Sequence, residues 1–303
     1  MSSEKPTNAE WLKQQEKSNL AIIRLMVWIS LTFGRAIGRI VLYGIAAYYV
    51  VFAPKARNFS REYLHRALGR WAEWSDGFRH VLSFASTVHD RIYLLNDRFD
   101  LFDIEIIGAE ALNASLAKQP GALLIGAHLG SFEVLRAVGR GKAGLKVAMM
   151  MYEENARKIN STLEAINPAA TQDIIALGRM DSMLEARDKL DQGYLVGMLA
   201  DRGLGNDATV DCDFLGKPAP FPVGPFRMAA MLRRPVFFMA GLYLGGNRYQ
   251  IHFEPLADFS ETSRAERDVA MLAAQQRYAE RLSHFCRIAP YNWFNFFDFW
   301  QKK

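Results

Sequence analysis

From Phe102 onward, short apolar runs of strand character alternate with longer stretches of helical spacing, and this alternation limits the fold more than any other feature. The strand-like runs are Ile104–Ile107, Ala122–Ala127, Lys146–Met150, Asp173–Ala176, Tyr194–Ala200, Val236–Leu244 and Tyr249–Phe253. The helix-like runs are Ala109–Ala117, Phe132–Gly139, Glu153–Ile166, Asp181–Asp191, Pro225–Leu232 and Arg264–Arg287. Parallel strands need a long crossover, usually a helix, so this order predicts a largely parallel sheet covered by helices. The last two strand runs meet through Gly245-Gly246-Asn247, which suits an antiparallel hairpin and makes the expected sheet mixed. The expected class is therefore α/β, with a further helix over Ser60–Leu95.

The N-terminal part has a different character. No Asp or Glu occurs between Glu16 and Glu62, while Lys17, Arg24, Arg35, Arg39, Lys55, Arg57 and Arg61 do, in the most apolar stretch of the chain. Apolar and basic together favour a membrane surface over nucleic acid as the source of the pI of about 9.1. Ile40–Ala53 is an uncharged run of 14 residues, short of the roughly 20 that a spanning helix needs. At 100° per residue, Arg24, Arg35 and Arg39 fall within roughly 60° of one another. One basic stripe suits an interfacial helix with arginines among lipid phosphates; a tilted span with snorkelling arginines and a core helix of a soluble protein are the competing readings. No cleavable signal peptide is recognised. The expected division is 1–57, an N-terminal membrane-associated helix region, and 58–303, a catalytic domain.

Directly after the run Ala122–Ala127 come His128-Leu129-Gly130-Ser131-Phe132-Glu133. Histidine takes and returns a proton near neutrality, and a carboxylate accepting its ring N–H fixes the tautomer. On one helix, residues five apart point about 140° away from each other. His128 and Glu133 therefore meet only if His128 lies in the loop after the strand and Glu133 in the first helical turn, with Ser131 as N-cap. An ordinary strand–loop–helix joint has the same residues, so the segment alone leaves both readings open.

The spacing His128–x4–Glu133 resembles the H-x4-D/E signature of the glycerolipid acyltransferase superfamily, and the Glu form resembles the bacterial lipid A lauroyl/myristoyl acyltransferases. Further blocks agree in order: Gly193–Arg202, similar to the family's strand ending in Asp-Gln or Asp-Arg, and Phe214–Pro225, similar to its "FFG–x–FP–x–GP" loop. The C-terminus departs: Asn295, Phe296, Phe297 and Asp298 stand where basic residues are usual, which bears on the acceptor and not on the reaction.

The resemblance implies an O-acyltransferase that moves a fatty acyl group from an acyl thioester, expected to be acyl-ACP, to a hydroxyl of a lipid A-like or related membrane glycolipid. His128 is the expected general base and Glu133 its orienting acid. Gly130 allows close backbone approach beside Ser131, and Arg179 and Arg202 are the cations for an oxyanion or a phosphate. Gly224-Pro225 is expected to open a helix behind a loop at the pocket mouth. Asp201 is read as a partner of Arg202 or a cap, and the terminal aromatics as an acyl-chain or interface wall or a packing cluster. The expected partners are acyl carrier protein, a glycolipid acceptor and the bacterial inner membrane, with the catalytic domain in the cytoplasm and no nucleic acid. Cys212 and Cys286 are far apart and read as free thiols; no metal or cofactor is implied. The competing functions are a non-catalytic membrane scaffold of the same fold and a hydrolase.

Overall fold

The computed structural model describes residues 20–138, 145–152, 166–167, 173–178, 181–203 and 207–301. Three helices lead: α1 (Leu20–Phe52), α2 (Pro54–Leu68) and α3 (Trp74–Leu95). There follow β1 (Asp103–Ile107), α4 (Ala109–Lys118), β2 (Ala122–Gly126), α5 (Phe132–Val138), β3 (Val147–Tyr152), β4 (Ile174–Leu177), α6 (Ser182–Asp191) and β5 (Leu195–Leu199). The rest comprises β6 (Thr209–Phe214), β7 (Lys217–Pro222), α7 (Gly224–Leu232), β8 (Pro235–Gly245), β9 (Arg248–Asp258) and α8 (Arg267–Ile288). The helix expected over 153–166 lies outside the described residues except for its end.

The seven-stranded sheet has the order β1-β9-β8-β2-β5-β3-β4. Every neighbouring pair is parallel except β8 with β9, the expected hairpin. β2 lies at the centre and is buried along its whole length, as its unbroken apolar run requires of a strand covered on both faces. Its alternate residues serve two cores. Leu123 and Ile125 join Tyr278, Leu282 and Phe285 of α8, while Ala122 and Leu124 join Ile92 of α3, Leu112 of α4 and Leu135 of α5.

The helical stretch expected over Ser60–Leu95 is broken. Gly69 turns left-handed (φ 66) to end α2, and a capping box between Glu73 and Asp76 starts α3. α2 itself runs unbroken through residue 57.

The Phe214–Pro225 segment is not an open loop. It completes a two-stranded antiparallel sheet, β6 with β7, around a tight turn at Leu215-Gly216 (φ 53 and 79). Phe214, Ala219 and Phe221 are buried in the main core. Pro218, Pro220 and Pro222 face Asp213, Asp211 and Thr209. Counting from the two-residue turn, these are the wide, non-hydrogen-bonded positions, so the missing N–H groups cost the hairpin no bond. Gly224 and Pro225 open α7 as expected.

α1 is long and apolar enough between Met26 and Phe52 to be a candidate membrane span, and its most apolar window is 22% buried within the protein. It is kinked at Gly34 (φ 82, ψ 169). Of the stripe expected from Arg24, Arg35 and Arg39, the last two turn inward instead of toward solvent or lipid; the Arg24 side chain lies outside the described ones. Arg35 forms a two-pronged ion pair with the buried Asp90 of α3 (2.7 and 2.8 Å), and Arg39 donates to the Gly246 carbonyl and the Tyr243 hydroxyl (both 2.6 Å).

Candidate active site

β2 and β5 are parallel neighbours that end together, with Gly126 beside Leu199 and the Ala200 N–H bonded to the Gly126 carbonyl (3.0 Å). Two residues beyond those ends stand His128 and Asp201, side by side at the carboxyl edge of the central strands, where open α/β sheets bind ligands. His128 Nδ1 lies 2.9 Å from Asp201 Oδ1, and the His128 backbone N–H donates to Asp201 Oδ2 (3.1 Å). The Trp293 indole N–H donates to the same Oδ2 (3.0 Å), and the Arg202 guanidinium stands 3.7 Å from it.

Asp201 is wholly buried. Burial alone raises a carboxyl pKa, but the His128 charge and hydrogen bond, the Arg202 charge and the Trp293 N–H outweigh it and hold Asp201 well below the usual carboxylate range. An ionised carboxylate only accepts, so Nδ1 carries the proton and Nε2 the lone pair. Nε2 has no hydrogen-bond partner among the described residues, and 29% of the His128 side chain reaches solvent although the body of the protein surrounds the rest. Burial first, then the Arg202 charge, lowers the His128 pKa below 6.5 against the opposing pull of Asp201. The ring is thus held neutral, with Nε2 unengaged.

The carboxylate that meets His128 is therefore Asp201, and the expected contact with Glu133 is not made. Glu133 sits buried in the first turn of α5, its carboxylate 3.6 Å from Arg91 of α3. Asp201 is separated from His128 by 73 residues, so no local spacing could reveal the pair. The signal available was its position at the end of a strand-like run.

Gly130 and Ser131 differ from expectation too. The Gly130 N–H donates to the Asn292 carbonyl (2.8 Å) and the Ser131 N–H to the Gly241 carbonyl (2.7 Å), so neither amide is open to a substrate oxyanion. The close approach at Gly130 (φ 68) is made by the protein itself: a Cβ there would lie against the Gly241 carbonyl oxygen. Arg202 is also engaged internally. It donates to the Phe294 carbonyl (2.7 Å), lies over the Phe297 ring (4.9 Å) and is 7% exposed. Gly224 starts α7, with open space around its Cα. Arg179 lies outside the described residues.

The C-terminal aromatics form the back of the site. Phe294 N–H donates to the His128 carbonyl (2.8 Å), so the His128–Gly130 loop is stitched to residues 292–294 on one side and to β8 on the other. The Asn292 side chain copies a peptide group, accepting from Tyr243 N–H (2.7 Å) and donating to Tyr243 O (3.0 Å). Trp293, Phe299 and Trp300 pack around Phe214 in the core. For Trp293, Phe299 and Trp300 the packing reading describes what is seen, with Trp293 adding a hydrogen bond that spacing did not indicate.

A family model described as bacterial lipid A biosynthesis acyltransferase matches residues 84–302. No curated protein matches the chain.

Proposed function

Because the chain belongs to the bacterial lipid A biosynthesis acyltransferase family, and is thereby an O-acyltransferase acting on lipid A-like lipids, we propose that His128 is its general base. The observation that carries this reading is the His128–Asp201 pair at the end of β2 and β5, with Nε2 unengaged. The acceptor hydroxyl gives its proton to Nε2 as its oxygen attacks the thioester carbonyl. The new imidazolium faces ionised Asp201, which stabilises it. When the tetrahedral intermediate collapses, the carbon–sulfur bond breaks and the departing thiolate takes the proton from Nε2. The products are an ester and a free thiol, and the base is neutral again.

Negative charge on the thioester oxygen needs donors. With the Gly130 and Ser131 amides engaged, Arg179 is our candidate. Arg202 supports the site from behind by balancing Asp201, and Glu133 anchors the start of α5 through Arg91. We take acyl-ACP as the donor, since a basic protein suits an acidic carrier, and the inner membrane, with a cytoplasm-facing domain, as the location. Residues 1–57 are assigned to membrane association and 58–303 to catalysis.

The test is acyl transfer from radiolabelled acyl-ACP by membranes containing wild type or His128→Ala. We expect labelled glycolipid only with wild type. Equal product from both refutes the mechanism, and free fatty acid formed without acceptor would identify a hydrolase.

A further inference from the structure

We propose that α1 does not cross the bilayer but lies in the plane of one leaflet, together with the Phe84–Val88 flank of α3, and that this face leads lipid sideways to His128. The lipid acceptor rests on the function proposed above; the helix placement does not.

α1 runs antiparallel along α3 for most of its apolar length. Near its start, Ser30 Oγ meets His89 Nε2 (2.9 Å) and the Tyr93 hydroxyl donates to Ser30 O (2.9 Å); near its end, Ala46 and Val50 pack on Val81. Gly38, Leu42, Ala46 and Val50 form a narrow inner stripe four residues apart. The opposite side is uncharged and exposed, with Ile40 71%, Tyr48 64% and Phe52 68% accessible. Both charges of the segment, Arg35 and Arg39, are spent on the protein, which leaves nothing ionic on the outer face.

A crossing would put the middle of the Met26–Phe52 helix, at Arg39, in the centre of the hydrocarbon. Arg39 is bonded to the Gly246 carbonyl, and Gly246, Asn247 and Arg248 form an exposed turn. That turn would be carried to the bilayer midplane, where a single arginine costs about 2.5–3.5 kcal/mol on insertion scales and loops exposed to lipid do not occur. Lying flat removes the conflict. Beyond the end of α1, on α2, stand the exposed Lys55 and Arg61, and Arg57 lies 4.6 Å over the ring of the exposed Trp74; Trp71 stands exposed nearby in sequence. Cations mixed with tryptophans match the headgroup layer.

The face continues to the His128 loop. Tyr49 of α1 touches Phe296, Phe296 touches the half-exposed Phe84, and Phe84 touches Phe294, whose N–H holds the His128 carbonyl. A chain of aromatic contacts thus joins the leaflet face to the loop that carries His128, and along it an acceptor held in the membrane brings its headgroup hydroxyl to the base.

The test places a bimane fluorophore at single introduced cysteines in the full chain, Phe33→Cys, Ile40→Cys, Tyr48→Cys and Val88→Cys, all at exposed positions; Cys212 and Cys286 are buried. The protein is reconstituted in phosphatidylethanolamine–phosphatidylglycerol vesicles carrying a nitroxide high or low on the acyl chain. We expect all four positions to be quenched, each at least twofold more by the shallow nitroxide. A deep maximum at Ile40 with an unquenched Val88 means a crossing helix and overturns the proposal. Absence of quenching at all four means that a second copy or another protein covers the face, and overturns it as well. Because no turnover is read, the outcome is independent of whether His128 is the base.

Discussion

Replacing Asp201 with asparagine keeps the side-chain shape and removes one acceptor. In the native site Oδ2 receives two N–H groups, from the His128 backbone and Trp293, while Oδ1 receives His128 Nδ1. Asparagine has one acceptor oxygen, and satisfying the two donors puts it at the Oδ2 position. The amide N–H then points at Nδ1, which must present its lone pair, so the ring proton moves to Nε2 and the base is capped. The same exchange in a hydroxyl–histidine–aspartate triad costs about 10⁴-fold. We expect kcat/KM to fall by about 10³–10⁴, or about 4–5 kcal/mol of barrier at about 1.36 kcal/mol per decade. Acyl transfer from radiolabelled acyl-ACP measures the loss, and the imidazole ¹⁵N shifts of His128 report the tautomer in the same sample. A thermal melt checks folding, since Arg202 loses its buried counter-charge. A folded Asp201→Asn protein within tenfold of wild type, or one whose Nδ1 keeps its proton, would falsify the assigned geometry.

Wild-type transfer should follow the neutral imidazole, with an acid limb centred below pH 6.5 because burial and Arg202 lower the His128 pKa; a limb at or above 6.5 in a pH–rate profile contradicts this. Glu133→Gln should cost at least tenfold less in kcat/KM than Asp201→Asn, since Glu133 meets Arg91 and not the ring; equal losses would restore Glu133 as the orienting acid. Gly241→Ala forces a Cβ against the Ser131 carbonyl, displacing the His128 loop from behind. It should lower kcat by more than tenfold and stability by about 1–3 kcal/mol, and unchanged steady-state kinetics would refute the role given to that crossing. His80 is buried between Ser60 and the Trp293 carbonyl, and burial lowers its pKa to about 4. The unfolded chain then binds the extra proton between pH 6.5 and 4, so its contribution to stability is complete above pH 6.5 and declines as pH falls toward 4, by about 3 kcal/mol in all. Chemical denaturation across that window should show a shallower slope in His80→Gln; identical slopes count against the assignment.

The sheet was legible because each strand carries its own apolar run and each crossover its own helical period; the described strands of the large sheet lie within a few residues of their expected places. β6 and β7 were not, since prolines at 218, 220 and 222 erase the donors and the β-propensity by which a strand is recognised. Only the register shows that those three sit where no donor is used. The place of His128 just past the end of β2 was legible from the local pattern. The carboxylate it meets was not, because parallel pairing of β2 with β5 is a tertiary fact, and Glu133 offered a nearer carboxylate. The lipid-facing reading of Arg35 and Arg39 failed for a third reason: the buried Asp90 that recruits Arg35 comes from another helix, and the Gly246 carbonyl that recruits Arg39 from the β8–β9 turn.

The proline ladder of β7 also affects how molecules meet one another. Along the outer margin of that strand, Pro218 and Pro220 present oxygen without matching hydrogen, and the Pro222 oxygen is already taken by Gln275 (3.2 Å). A stray strand drawn up against this border would leave half of its own oxygens unanswered. The small hairpin can therefore stand at the rim of the protein without inviting the stacking of chains into aggregates, and needs no helix over that edge to prevent it.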